Sequence, residues 1–327
     1  MAKGLYVGVD GIARKIKKAY VGVDGIARKI KKAYVGVDGV ARLIYSADVF
    51  GGYTGNYTVE TVTVDGVECD LYKLTSSGTL KLNDSARFWM CGGGGRGAES
   101  YENAEAIESG GGGGGGCVET NELPSGEYAI IIGSAQGGTV IGFPGQIDVE
   151  EGYYLFCASY GVDGGDNNYG IRGGNGGSGG ASGYYYEREL EEYYAGSRGN
   201  GDGVSTIPFG ISSLEKHCAG GGGGALHITD MNVETTISFD RGGEGGSNGG
   251  DAPAGSFTSE GGEYGGGSGN TESSLWCSSD DLKGGDAFFY GGGGGGAGLQ
   301  FDAVYYDLKT SEGGSGYQGV CYILCPI

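Results

Sequence analysis

Glycine occurs in unbroken runs, at 92–95, 110–116, 220–224 and 291–296, and supplies 78 of the 327 residues, against an average usage of about 7%. Glycine loses the most backbone entropy on ordering and has no side chain to bury. Such runs are either flexible linkers or are held by something other than an apolar core. Apolar and aromatic stretches flank them, ARFWM before residue 92 and DAFFY before residue 291, which is unlike linker filler. Collagen is excluded, because no Gly-X-Y period is sustained and only five prolines occur. The ordered alternative is a bundle of polyglycine-II helices, with three residues per turn and a rise of about 3.1 Å, in which each N–H and C=O bonds outside its own helix. A helix at the bundle edge should then read Gly-Gly-X. GGNGGSGGA does so, with Asn175, Ser178 and Ala181 on one ridge, and GGEGGS repeats it with Glu244 and Ser247.

The first 44 residues carry a different order. YVGVDGIARKIKKA begins at Tyr6 and again at Tyr20, and YVGVDGVARLIYSA follows at Tyr34, a period of 14. Asp-Gly between β-branched residues marks a two-residue hairpin turn, at Asp10-Gly11, Asp24-Gly25 and Asp38-Gly39. The spacing predicts five-residue strands in a meander with one face of Ala19, Val21, Val23, Ile26, Arg28 and Ile30. The other face holds Tyr20, Gly22, Ala27 and Lys29. A β-solenoid is the alternative for near-identical repeats. Either way the apolar face needs a cover, since so small a sheet is marginal alone. Tyr6, Tyr20, Tyr34, Lys15 and Lys29 are the expected docking or oligomerisation residues. Further strands are expected over 46–90, with a hairpin turn at Asp65-Gly66, and short apolar strands alternate with glycine runs thereafter.

The net charge is −20, from 21 basic and 41 acidic residues. It is divided: residues 1–44 hold 10 Lys/Arg and 3 Asp, net +7, and the remainder holds 11 and 38, net −27. An acidic body of that size repels nucleic acid and anionic membranes. No stretch approaches 18 apolar residues, and the first residues do not read as a secretory signal. The expected setting is synthesis in a bacterial cytoplasm without a signal peptide. The eight cysteines form no C-x-x-C, and His217 and His227 complete no zinc pattern. They read as reduced, small buried residues, with structural disulfides the alternative.

Candidate chemistry is sparse. GxGxxG inside GGNGGSGG has no strand–helix frame and no acidic partner. Asp163, Asp166, Asn167, Asn168 and Asp202 offer oxygens for calcium, and Asx turns are the plainer reading. Neither H-E-x-x-H nor G-x-S-x-G occurs, so no catalytic residue, cofactor or metal site is expected and the chain is read as a non-enzyme. The segment YYYERELEEYYAG, 184–196, stands out between two glycine tracts. It reads equally as a solvated hairpin or short helix and as a contact loop, since Tyr offers large, rigid, amphipathic area at low entropy cost. Tyr184, Tyr185, Tyr186, Tyr193 and Tyr194 are its contact residues, with Tyr169, Tyr264 and Trp276 in similar loops.

YKLTSSGTLKLNDSARFWMCGGGGRGAE resembles the opening, and GGSGYQGVCYILCPI the end, of a glycine-rich domain of bacteriophage and prophage tail proteins. The basic repeat is similar to the N-terminal tract of some phage tail proteins of Gram-positive hosts. The resemblance implies a polyglycine-helix sandwich whose connecting loops bind a receptor on the bacterial surface, protein or glycan. It transfers no functional residue. The expected fold is mainly β with a polyglycine-II bundle: basic repeats over 1–45, a hairpin region over 46–90, and a glycine-rich domain with loop insertions over 91–327. The expected function is host-surface adhesion in a virion tail, released from the host by lysis, with other tail proteins and further copies of itself as partners. A self-assembling fibre subunit and a glycine-rich bacterial surface protein are the alternatives.

Overall fold

The computed structural model describes residues 6–9, 12–15, 19–23, 25–30, 32–37, 40–46, 48–102, 106–165, 175–176, 180, 184–187, 192–195, 207–215, 217–221, 223, 226–229, 237–239, 283–302 and 307–326. The chain is mainly β, and the described residues contain no α-helix. Each 14-residue repeat folds as a hairpin: β1 (Tyr6–Val9) with β2 (Ile12–Lys15), β3 (Tyr20–Val23) with β4 (Ile26–Lys29), and β5 (Lys32–Val37) with β6 (Val40–Ser46). Registers such as Val23↔Ile26 and Tyr20↔Lys29 leave two-residue loops at the Asp-Gly pairs, and Gly25 takes φ +78°. The expected faces therefore form. A continuous meander does not: each hairpin is a two-stranded sheet of its own, with no ladder to the next among the described residues.

Two five-stranded sheets carry the core. The strands are β7 (Phe50–Tyr53), β8 (Tyr57–Val64), β9 (Val67–Leu74), β10 (Gly78–Leu82), β11 (Ala86–Cys91), β14 (Val118–Leu123), β15 (Gly126–Ile131), β16 (Thr139–Gly142), β17 (Phe156–Ala158) and β24 (Val320–Pro326). One sheet runs β17-β16-β15-β10-β7 and the other β14-β11-β24-β9-β8. Both therefore join strands of the 46–90 region to strands beyond residue 91. Leu80, Tyr128, Ile130 and Ile141 of the first sheet pack with Leu74, Phe88, Met90 and Ile323 of the second, all buried. The opposite face of the second sheet is also covered. Leu71, Trp89, Val320, Tyr322 and Leu324 bury there with Cys218, Phe209 and Leu214. That double burial explains why β24 reads as a continuous apolar run rather than an alternation.

Glycine segments leave this base and return to it. From β11, residues 92–100 bond in a strict rotation. The N–H groups of Gly92, Gly95 and Ala98 donate to the carbonyls of Cys117, Gly114 and Gly111. Those of Gly94, Gly97 and Ser100 donate to Tyr317, Gly314 and Ser311. The third direction is filled by Gly93 to the Gly137 carbonyl, and by the Arg96 N–H to Asp163 Oδ1 at 2.7 Å. The same neighbour thus returns every third residue, where a strand would alternate every second. In the segment 110–117, Gly110, Gly113 and Gly116 donate to Ala297, Gly294 and Gly291, while Gly114 and Cys117 donate to Val162 and Ser159.

The packing leaves no room for a β-carbon. One built on Gly94, Gly97, Gly113, Gly293 or Gly314 would lie closer than 3.0 Å to a carbonyl of a neighbouring segment. Gly22, in the repeat hairpins, has nothing within 4 Å. Gly113→Ala is therefore expected to destabilise the fold by about 3 kcal/mol, and Gly22→Ala by less than about 0.5 kcal/mol. Urea unfolding of the two variants beside the parent chain checks this. Equal losses would contradict the packing.

Candidate functional site

The hydrogen bonds give the glycine segments a direction. Gly92, Gly116 and Tyr317 lie where these segments meet the sheets, and Ala98, Gly110, Ala297 and Ser311 lie at their other end. The remaining strands are inserted at that far end. β12 (Tyr101–Glu102) and β13 (Ala106–Glu108) join residues 100 and 109, and β22 (Leu299–Asp302) and β23 (Asp307–Lys309) join residues 298 and 310. β18 (Tyr184–Glu187), β19 (Glu192–Ala195), β20 (Leu226–Thr229) and β21 (Ile237–Phe239) complete two four-stranded sheets, ordered β12-β13-β18-β19 and β21-β20-β22-β23.

The tyrosine-rich segment is a hairpin in the first of these sheets, which decides between the helix and hairpin readings. Tyr185 stands opposite Tyr194 and Tyr186 opposite Tyr193, while Tyr184 stands opposite Ala195. β13 continues the ladder, with Ile107 opposite Tyr186 and Glu108 opposite Tyr185. Register places Tyr184, Tyr186 and Tyr193 on one face and Tyr185 and Tyr194 on the other. Side chains also bond along and between the glycine segments that lead to this sheet. Ser100 exchanges bonds with Ser311, the Arg96 guanidinium meets Glu99 at 3.2 Å, and Asp163 accepts from both the Arg96 N–H and the Gln136 side chain. Asp163 Oδ1 thereby holds the Arg96 backbone amide and Oδ2 the Gln136 side chain. Tyr169, Tyr264, Trp276, Asp166, Asn167, Asn168 and Asp202 lie outside the described residues, as do Ser178, Ala181, Glu244 and Ser247.

The repeat residues lie on β1 to β5: Tyr6 opposite Lys15, Tyr20 opposite Lys29, and Tyr34 opposite Leu43. Tyr20 is 57% exposed and Ile26 60%, and Val21, Val23, Tyr34 and Val35 are exposed too. Among the described residues, nothing covers the apolar face of Val21, Val23 and Ile26.

Sequence reasoning missed a buried polar cluster where the glycine segments join the second sheet. His217 is almost fully enclosed, ringed by Trp89, Tyr290 and Tyr322, and its Nε2 lies 2.7 Å from the Tyr322 hydroxyl. Its Nδ1 has no hydrogen-bond partner among the described residues. Lys73 Nζ sits 4.4 Å above the Tyr290 ring, so ring quadrupoles face this half-buried cation. Burial lowers the Lys73 pKa. Burial, with the Lys73 charge second, lowers that of His217 to about 3. The neighbouring Cys218 takes φ +60°, and Cys91 and Cys218 fill the space beside Gly291, itself at φ +70°. The only sequence signal was a histidine next to a cysteine before a glycine run. A second missed feature is the loop between β16 and β17, which exposes Phe143, Val149, Tyr153, Tyr154 and Leu155. The Asp148–Tyr153 backbone pair closes it, and Asp148 Oδ1 accepts from the Glu150 and Glu151 amides.

No group of three or more His, Cys, Asp or Glu able to hold a metal occurs among the described residues. No helix of the described residues is long and apolar enough to cross a membrane. No protein-family model, curated protein sequence or solved structure matches the chain.

The His217 cluster predicts acid sensitivity. An unfolded imidazole takes its proton as pH falls through about 6.5, whereas the buried one resists until about 3. The unfolded state binds more protons across that window, so stability contributed by the neutral His217 falls as pH drops from 6.5 towards 3. His217→Gln is expected to remove a few kcal/mol of this pH dependence. Urea titrations at pH 7, 5 and 4 check the slope; an unchanged slope would contradict the assignment.

Proposed function

We propose that the chain is a structural protein of a bacteriophage or prophage tail that acts as a host-surface adhesin. In this reading the glycine segments are polyglycine-II helices bundled into a rigid scaffold. The rotation of backbone partners every third residue supports that, because three residues per turn is the period of this helix. The observation that carries the functional reading is the position of the tyrosine hairpin, inserted at the end of the bundle remote from the two core sheets. A scaffold bonded through its backbone tolerates change in the segments inserted at its end, and held contact residues lose little entropy on binding. Tyr184, Tyr185, Tyr186, Tyr193 and Tyr194 are the proposed contact residues, and a protein or glycan of the bacterial surface the partner. The exposed repeat hairpins attach the chain to other tail proteins or to further copies, with Tyr6, Tyr20, Tyr34, Lys15 and Lys29 at the contact. The acidic body, net −27, supports protein or glycan partners over nucleic acid.

The test is binding of the purified chain to candidate host bacteria, beside a version in which residues 184–194 are replaced by a Gly/Ser segment. The expected result is saturable, strain-restricted binding by the parent and its loss in the replaced version. A folded parent that binds no susceptible strain, or a replaced version that binds as well, would overturn the proposal.

A further inference from the structure

The two five-stranded sheets have four outer strands, and three of them resist further pairing. β17 is only three residues long, and β7 is four residues with two glycines, one at φ +136°, and an irregular register against β10. β14, VETNEL, carries two carboxylates and runs into Pro124. Short length, irregular register, charge and proline are the devices by which sheets protect their edges. β8 has none of the first, second or last. It is eight residues of Tyr, Thr, Val and a single Glu, paired on one side to β9 and, among the described residues, to no strand on the other. Its residues are largely exposed, Val59 at 54%.

Register shows which backbone groups are open. Val64 and Val67 close a two-residue turn in which Asp65 and Gly66 have φ +52° and +76°. Residues closing such a turn exchange both of their backbone bonds, and the pattern then alternates. Thr58, Glu60, Val62 and Val64 thus use their N–H and C=O groups on β9. Tyr57, Val59, Thr61 and Thr63 aim theirs outward. Water solvates this row in the monomer, and a further strand is the protein partner whose backbone matches it.

We infer that a second copy of this chain pairs there, antiparallel and about a two-fold axis through Thr61, joining the two β8 strands into one ten-stranded sheet. A two-fold axis requires one residue to face its own copy. Centring on Glu60 sets two carboxylates directly opposite, which is unfavourable. Centring on Thr61 gives Thr61 opposite Thr61, Val59 opposite Thr63, Glu60 opposite Val62 and Thr58 opposite Val64. Every pair is then β-branched with β-branched or a lone carboxylate against valine, and the outward groups of Val59, Thr61 and Thr63 meet each other. The acidic bodies repel at long range, so salt promotes this pairing. The interface is independent of the receptor-binding proposal, and either can fail without the other.

Sedimentation equilibrium of the full-length chain, at low and at physiological salt, measures the association. The dimer fraction is expected to rise with salt. Thr61→Pro removes one outward donor but no bond to β9, as a proline on an edge strand should. It is expected to shift the chain to monomer, with the unfolding midpoint that the parent shows when diluted to monomer. Crosslinking reads the axis itself. Opposed residues of a hydrogen-bonded pair have Cα atoms about 5.5 Å apart, within disulfide reach. Under oxidised glutathione, Thr61→Cys is expected to give a covalent dimer above the parent's background and Val59→Cys none. A monomeric parent, a Thr61→Pro chain that sediments as the parent does, or preferential crosslinking of Glu60→Cys would overturn the inference.

Discussion

In the described glycine segments, backbone N–H groups donate chiefly to carbonyls of other segments, and this sideways bonding decides the rest of the molecule. Gly113 and Gly114 illustrate it. They donate to Gly294 and Val162, and their carbonyls accept from Gly221 and Gly95. Four separate segments meet at two residues. Such closeness excludes a β-carbon, so composition here is a packing requirement rather than a sign of flexibility. It also makes stability non-local, because each segment depends on partners far away in sequence. The C-terminal strand shows how far this reaches: β24 closes the second sheet between β11 and β9, and the segment preceding it bonds to residues 94–100.

The glycine segments change in chemistry along their length. At one end an ordinary apolar sandwich, around Phe88, Met90, Ile141 and Ile323, fixes where the segments start. Further along the segments, side chains stand in for missing backbone partners. Asp163 receives the Arg96 amide and Asp286 receives the Ser315 amide at 2.7 Å. Non-glycine residues are therefore tolerated where an outward N–H can be met by a carboxylate. His217 and its aromatic ring mark the junction near the sheets, where the space too wide for glycine alone is filled by large side chains.

Much of this was legible in local sequence. The Asp-Gly turns fixed hairpins at the repeats and at residues 65–66, because a two-residue turn sets the register of both arms. The tyrosine segment left helix and hairpin open, and cross-strand pairing with β13 resolved it, a contact no local pattern encodes. Strand partners in the two core sheets were not legible for the same reason: β11 lies between β14 and β24, more than 200 residues from the latter. Nor, among the described residues, did the repeat hairpins join into one meander. The buried His217 gave no signal, since an isolated histidine acquires meaning only from what packs around it.

Amide hydrogen exchange in the glycine segments tests the central claim most directly. If Gly94, Gly97, Gly113, Gly114, Gly293 and Gly294 donate to neighbouring segments, their amides exchange far more slowly than in an unstructured chain, with protection approaching that of β11 and β24. Exchange of these glycines at unstructured rates, while the sheet amides remain protected, would contradict the account.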